Sequence, residues 1–193
     1  MEDRTNISGP SLRTRLREET RAAHLRLDEI AKDLDLAHYA DVSIFAVAHH
    51  AAYSALDKAF QGDFALTRLR LDKATQDIHA LGLPTTGLAI ADIPSAMSEL
   101  GVTYVIAGSH LGAKVLTKQW SKTRDPRVNA ASHLLRDEVL EREWAAVLTT
   151  LKSLPATGRG ADDVVAGAIA CFDLFRAAFN AARTMRTPDY VVA

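Results

Sequence analysis

All six prolines of the chain fall between segments of helical periodicity, at positions 10, 84, 94, 126, 155 and 188. Proline removes a backbone donor and clashes with the preceding turn, so helical proteins keep it in the connections between helices. The intervals between the prolines are rich in Ala, Leu, Arg, Glu and Lys, and they lack long runs of β-branched residues with a period of two. This pattern predicts an all-α fold.

Apolar spacing within these intervals predicts six helical segments. In the first, apolar residues from Leu12 to Leu34 recur three, four or seven positions apart, which places them on one face. Ser95 is predicted to cap the fourth segment. The sixth segment is apolar around much of its circumference, which predicts a central position. The segments span about residues 11–34, 37–60, 65–81, 95–122, 131–154 and 161–186.

Length and composition predict one soluble domain. The chain has 193 residues, of which 48% are hydrophobic and 24% charged, enough apolar side chains for a core. We expect a flexible N-terminus over residues 1–10, a helical domain over 11–186 and a C-terminal tail over 187–193. The first residues lack the apolar segment of a secretory signal, and no stretch approaches about 18 uninterrupted apolar residues. We therefore expect a cytoplasmic protein without a membrane span.

Charge and cysteine usage narrow the classes of partner and site. The formal net charge is −1 and basic residues are scattered among acidic ones, so the sequence predicts no binding to nucleic acid or to an anionic membrane surface. Cys171 is the single cysteine, which excludes an internal disulfide framework and a multi-cysteine metal site.

Glycines line one face of the fourth predicted segment, although glycine costs about 1 kcal/mol relative to alanine inside a helix. At 100° per residue, Gly101, Gly108 and Gly112 project within about 40° of one another. Two interpretations remain open from the spacing alone. Either a neighbouring helix packs closely against this face, or a flat ligand lies directly on its backbone.

His24 is the histidine whose surroundings most resemble a metal site. It lies at the border of the first segment's apolar stripe, with Asp28 one turn later, so the carboxylate can orient the imidazole. An ordinary exposed His24–Asp28 pair is the alternative. His49 and His50 are adjacent, so they point about 100° apart and cannot both face one site. His110 points about 160° away from the glycine face.

Two stretches together resemble the heme oxygenase family. LREETRAAHLRLD (16–28) is similar to the family's proximal helix, and GVTYVIAGSHLGAKVL (101–116) is similar to its distal helix. QDIHALGLP (76–84) and AGAIACFDLFRAAF (166–179) resemble other helices of that fold more loosely. The bacterial, biliverdin-producing enzymes associated with bacteriophytochromes are the most similar branch. The resemblance implies a single-domain, multi-helical heme oxygenase-like bundle.

The resemblance also implies roles for particular residues. His24 is expected to be the proximal iron ligand, with Asp28 accepting a hydrogen bond from its other nitrogen or from a water. Gly108 and Gly112 are expected to let the helix backbone approach the heme, and Ser109 stands where many members have an acidic residue that orders water. The remaining expected heme contacts are Arg17 and Arg21 near the propionates, and Tyr104, Phe172 and Phe179 around the ring.

The implied reaction uses heme as both cofactor and substrate. With O2 and an external electron donor, such as ferredoxin or a flavin reductase, heme is cleaved to biliverdin, ferrous iron and CO. The biliverdin is expected to supply a bacteriophytochrome. In this reaction the heme carries the difficult chemistry, while the protein supplies orientation and electrostatics.

Three alternatives remain beside the enzyme. A heme carrier or sensor on the same fold would bind heme without degrading it, and the hydroxyl of Ser109 in place of a carboxylate favours it. A scaffold with two non-heme irons typically needs Glu-x-x-His, which does not occur in this sequence. The last alternative is a helical interaction module without a cofactor.

Overall fold

The computed structural model describes residues 11–84 and 97–184, and within those ranges it contains α-helices and no strand, which confirms the all-α prediction. The fourth predicted segment begins at Glu99 and is capped by Ser98, whose hydroxyl accepts from the Gly101 N–H at 3.4 Å, so the predicted cap at Ser95 is wrong. Most of the loop predicted before it and the predicted terminal segments 1–10 and 187–193 lie outside the described residues. The helices are α1 (Leu12–Glu19), α2 (Arg21–Ala31), α3 (Tyr39–Ala59), α4 (Ala65–Ala80), α5 (Glu99–Gly108), α6 (His110–Trp120), α7 (Pro126–Ala130), α8 (Val139–Ser153) and α9 (Arg159–Thr184).

Local sequence signals fix several helix ends. α4 ends at Ala80, and Gly82, two residues later, has a φ of 69°, the left-handed conformation that glycine adopts without a steric penalty. The Leu83 N–H then donates to the Ile78 carbonyl at 3.0 Å, which satisfies a carbonyl of the last turn. α7 begins with Pro126 in its first turn, and the Asp125 side chain accepts from the Arg127 N–H at 2.9 Å.

α9 is the central helix of the core. It packs against α1, α2, α3 and α5, and its buried side chains include Cys171, Phe172, Phe175 and Phe179. By length and composition α9 could span a membrane, a property that it shares with core helices of soluble proteins. In this structure, about half of the apolar stretch of α9 is buried against the neighbouring helices.

Two of the predicted segments are divided in the structure, and a third is shortened. The first breaks at Thr20, whose hydroxyl donates to the Leu16 carbonyl at 2.7 Å. The fourth breaks at Ser109. In the fifth, residues 131–138 form a turn instead of a helix, because the buried Asp77 carboxylate accepts from the backbone N–H groups of His133 and Leu134 at 2.8 and 2.9 Å. Side-chain hydrogen bonds compete with the helical ladder at these points.

Candidate functional site

A cavity of about 600 Å³ opens between α2, α3, α5, α6, α8 and α9. Its volume lies within the roughly 300–1,000 Å³ of small-molecule sites, and its walls are mainly apolar and aromatic. The lining residues are His24, Leu27, Asp28, Ala31, Phe45, His49, Tyr53, Tyr104, Val105, Ile106, Gly108, Ser109, Leu111, Gly112, Leu116, Trp144, Phe172, Phe175 and Phe179.

His24 and Asp28 form a pair on the α2 wall of the cavity. The imidazole Nδ1 lies 2.8 Å from the Asp28 carboxylate, and the two side chains are 57% and 56% exposed. The imidazole also meets the edge of Phe172, with ring centroids 5.4 Å apart. Because the carboxylate occupies Nδ1, the Nε2 atom is the one available to a ligand. This is how carboxylates orient metal-binding histidines.

The three glycines of the predicted face have different neighbours. A Cβ on Gly101 would lie 2.3 Å from the Val164 carbonyl oxygen, so this glycine allows α5 to cross α9 closely. A Cβ on Gly108 would lie 3.2 Å from the ring of Trp144. A Cβ on Gly112 would meet no atom within 4 Å. Helix packing therefore explains Gly101, whereas Gly108 and Gly112 lie on the cavity wall.

The helical hydrogen-bond ladder is interrupted at Ser109, between Gly108 and Gly112. The Ser109 hydroxyl donates to the Ile106 carbonyl at 2.7 Å, and the His110 Nδ1 lies 2.8 Å from the Ala107 carbonyl oxygen. Side chains thus satisfy carbonyls that a continuous helix would pair with later N–H groups. The interruption separates α5 from α6, and both glycines line the cavity.

His49 is a second cavity histidine, and the sequence did not predict it as a site residue. Its Nδ1 lies 2.8 Å from the Phe45 carbonyl oxygen. The ring is enclosed by protein except where it borders the cavity, and this burial lowers the pKa of His49 to about 4. The signal was present in the sequence, because Phe45, His49 and Tyr53 recur every four residues and so share one face of α3.

Aromatic side chains form the inner wall. Phe175 and Phe179 of α9 lie with ring centroids 5.5 and 5.4 Å from that of His49. On the opposite side, Tyr104 and Trp144 have centroids 5.5 Å apart. Burial raises the pKa of Tyr104. The walls therefore present flat, mostly apolar surfaces with a few polar atoms.

A buried ion pair contacts Tyr53, one of the residues that line the cavity. Arg70 donates to the Asp137 carboxylate at 2.6 Å, and their side chains are 3% and 1% exposed. Arg70 also donates to the Tyr53 hydroxyl at 3.2 Å, and Tyr53 lines the cavity. Sequence periodicity gave no indication of this network.

Most of the predicted site residues line this one cavity, and two do not. Arg17 and Arg21 are exposed residues at the end of α1 and the start of α2, outside the lining set. Arg17 is still near the cavity, since its charge opposes the burial-driven rise in the pKa of Tyr104. The lining set contains His24, Asp28, Tyr104, Gly108, Ser109, Gly112, Phe172 and Phe179 from the prediction.

The metal-ligating side-chain types in the lining of the cavity are His24, Asp28 and His49. Among residues 11–84 and 97–184, no group of three or more His, Cys, Asp or Glu side chains comes together as a metal site. The cavity instead offers single imidazoles beside flat apolar walls.

Comparison of the chain with protein-family models and with curated proteins found no match.

Proposed function

We propose that this chain is a heme oxygenase, which binds heme in the cavity and cleaves it to biliverdin, ferrous iron and CO. It would have a heme oxygenase-like fold and act in the cytoplasm. The electrons would come from an external donor such as ferredoxin or a flavin reductase, and the biliverdin would supply a bacteriophytochrome. The observation that carries the proposal is one cavity in which His24 and the Gly108–Gly112 backbone are both wall residues.

The available residues fit heme. His24 has its Nδ1 paired with Asp28, which leaves Nε2 for the iron and increases the basicity of the ligand. The α5–α6 wall has no side chain at Gly112 and open space around it, so a flat ring can approach the backbone there. Phe172 and Phe179 supply apolar contact area. Bound heme would supply the redox-active iron and the porphyrin ring that is oxidised.

The protein's own contribution would be orientation and control of water. Ser109 is exposed and lines the cavity, so it borders the solvent from which protons must come. Its hydroxyl proton is engaged by the Ile106 carbonyl, so Ser109 presents lone pairs to a water and serves as an acceptor. Arg17, and Arg21 beside it, would meet the carboxylates of the heme propionates at the cavity edge.

An absorption experiment tests the proposal. Purified protein is titrated with hemin and then given ascorbate or a ferredoxin reducing system in air. We expect a histidine-type Soret band, its loss under turnover, and growth of a broad red biliverdin band. His24→Ala should remove the imidazole ligation of the heme, while His38→Ala, an exposed histidine paired with Asp35, should not. Absence of any Soret shift in the wild-type protein would exclude heme binding.

A heme carrier or sensor is the second candidate. It is favoured by Ser109, whose hydroxyl donates within the helix and replaces the carboxylate that many related enzymes use to order water. In that case the histidine-type Soret band would persist after addition of reductant in air.

A further inference from the structure

His49 has a fixed tautomer. Its Nδ1 lies 2.8 Å from the Phe45 carbonyl oxygen, and a carbonyl can only accept. Nδ1 must therefore carry the hydrogen. In a neutral imidazole the other nitrogen, Nε2, is then an acceptor with a free lone pair.

The surroundings of His49 keep its ring neutral at physiological pH. Burial is the main cause of its lowered pKa, and the positive charge of Arg70 lowers that pKa further, against the opposing effect of the Phe45 carbonyl. Arg70 itself is held by Tyr53 and Asp137. Nε2 is thus a hydrogen-bond acceptor throughout the neutral range.

The position of His49 makes that acceptor an unusual part of the cavity. The ring packs among Phe45, Tyr53, Phe175 and Phe179, so its neighbours are aromatic. Within the described ranges, the hydrogen bond at Nδ1 is the one recorded for the ring. A ligand that reaches this wall therefore meets one acceptor among apolar surfaces, and a ligand without a donor there leaves the acceptor unpaired.

We propose that His49 Nε2 accepts a hydrogen bond from a ring N–H of a metal-free, open-chain tetrapyrrole, so that the cavity recognises the product of heme cleavage by a contact that heme cannot make. This inference rests on the proposed function. All four nitrogens of heme bind iron and carry no hydrogen, whereas release of the iron leaves pyrrole and lactam nitrogens that do. His49 is accordingly a specificity-determining residue that favours the opened, metal-free ring over heme.

The test compares the affinities for biliverdin and hemin. Trp144 lines the cavity, so quenching of its fluorescence reports binding, while Trp120 lies outside the lining set and donates to the Val128 carbonyl. His49→Phe keeps a flat ring and removes the acceptor. We expect it to weaken biliverdin binding about tenfold, equivalent to about 1.4 kcal/mol, and to change hemin binding less than twofold. The control is His50→Phe, a neighbouring half-buried histidine outside the lining set.

Each other outcome overturns the inference in a distinct way. If His49→Phe weakened the binding of biliverdin and hemin equally, His49 would act through packing alone. If the variant bound both pigments as the wild-type protein does, His49 would have no role in ligand recognition. Weaker hemin binding with an altered iron spin state would make His49 an iron ligand instead. A wild-type protein that binds neither pigment would overturn the proposed function as well.

A measurement on the wild-type protein keeps the test independent of the variant's folding. In protein labelled with 15N-histidine, the Nε2 resonance of His49 should have the chemical shift of an unprotonated nitrogen. Addition of biliverdin should move it in the direction of a hydrogen-bonded acceptor. A protonated Nε2, or a resonance that biliverdin leaves unchanged, would contradict the proposal.

Discussion

Gly101 on α5 faces the carbonyl oxygen of Val164 on α9 so closely that a Cβ at residue 101 would lie 2.3 Å from that oxygen. The same Cβ would lie 2.8 Å from the Ala168 nitrogen. Both atoms belong to the backbone of the central helix, so neither can move aside as a flexible side chain would. The close crossing of α5 and α9 depends on this glycine, and it positions the α5 wall of the cavity.

Gly101→Ala should therefore destabilise the fold. The added methyl group forces α5 away from α9, and overpacking of this kind typically costs about 1–3 kcal/mol, more than alanine gains in helix propensity. Urea unfolding measures the change. Gly160→Ala is the matched control, since Gly160 lies in the first turn of α9 and a Cβ there meets no atom within 4 Å. Equal stability of the two variants would contradict the proposed role of the crossing.

Gly112→Leu should weaken hemin binding without lowering the stability of the fold. A leucine there replaces a poor helix former, so the free energy of unfolding should stay the same or rise by up to about 1 kcal/mol. Its side chain would extend into open space on the cavity wall, so hemin affinity should fall at least tenfold. Lys114→Leu is the control, because Lys114 is exposed on the same helix and outside the lining set. Unchanged hemin affinity would place the ligand elsewhere.

The sequence predicted the elements that depend on local signals. The long helices α3, α4 and α9 lie close to their predicted bounds, because their apolar residues follow the helical period and Gly62 and Gly82 mark the ends of α3 and α4. The interruption at Ser109 was not predicted, since serine side chains also occur inside helices and the apolar periodicity continues through this residue. The hydrogen bond from the Ser109 hydroxyl to the Ile106 carbonyl is visible only in the folded structure.

The candidate site was predictable only in part. A helix face identifies Gly101, Gly108 and Gly112 as neighbours, but not which of them contact a second helix. His49 went unselected because its role depends on α9, whose Phe175 and Phe179 enclose it from a distance of more than a hundred residues in sequence. Such long-range contacts leave no periodic signal in a single sequence.

Asp137→Asn should be strongly destabilising. The substitution leaves the guanidinium of Arg70, which is 2% exposed as a residue, without its charged partner. Breaking a buried pair from one side costs about 3–5 kcal/mol. Glu19→Gln is the control, because the Arg15–Glu19 pair is 23% and 46% exposed and should contribute less than about 1 kcal/mol. Urea unfolding of both variants tests this, and similar losses would contradict the difference in burial.

The lowered pKa of His49 makes stability depend on pH. Burial lowers this pKa from the ordinary 6.5 to about 4, so between these values the unfolded chain binds a proton that the folded protein excludes. The neutral His49 imidazole therefore makes its full contribution to stability above pH 6.5, where it is neutral in both the folded and the unfolded state. This contribution declines as the pH falls towards 4. Across that window the shift corresponds to about 3 kcal/mol.

Replacing His49 with phenylalanine should remove this pH dependence. Urea unfolding between pH 4 and 7 should give a steeper loss of stability on acidification for the wild-type protein than for His49→Phe. The free energy of unfolding of the wild-type protein, relative to that of His49→Phe, should fall by about 3 kcal/mol between pH 6.5 and 4 and stay constant above pH 6.5, because phenylalanine cannot take up a proton in either state. His38→Ala is the control for the removal of a histidine, since that side chain is 71% exposed. Parallel curves for His49→Phe and wild type throughout the range would mean that the His49 imidazole has the same pKa in the folded and unfolded states, which would contradict the lowering of its pKa by burial.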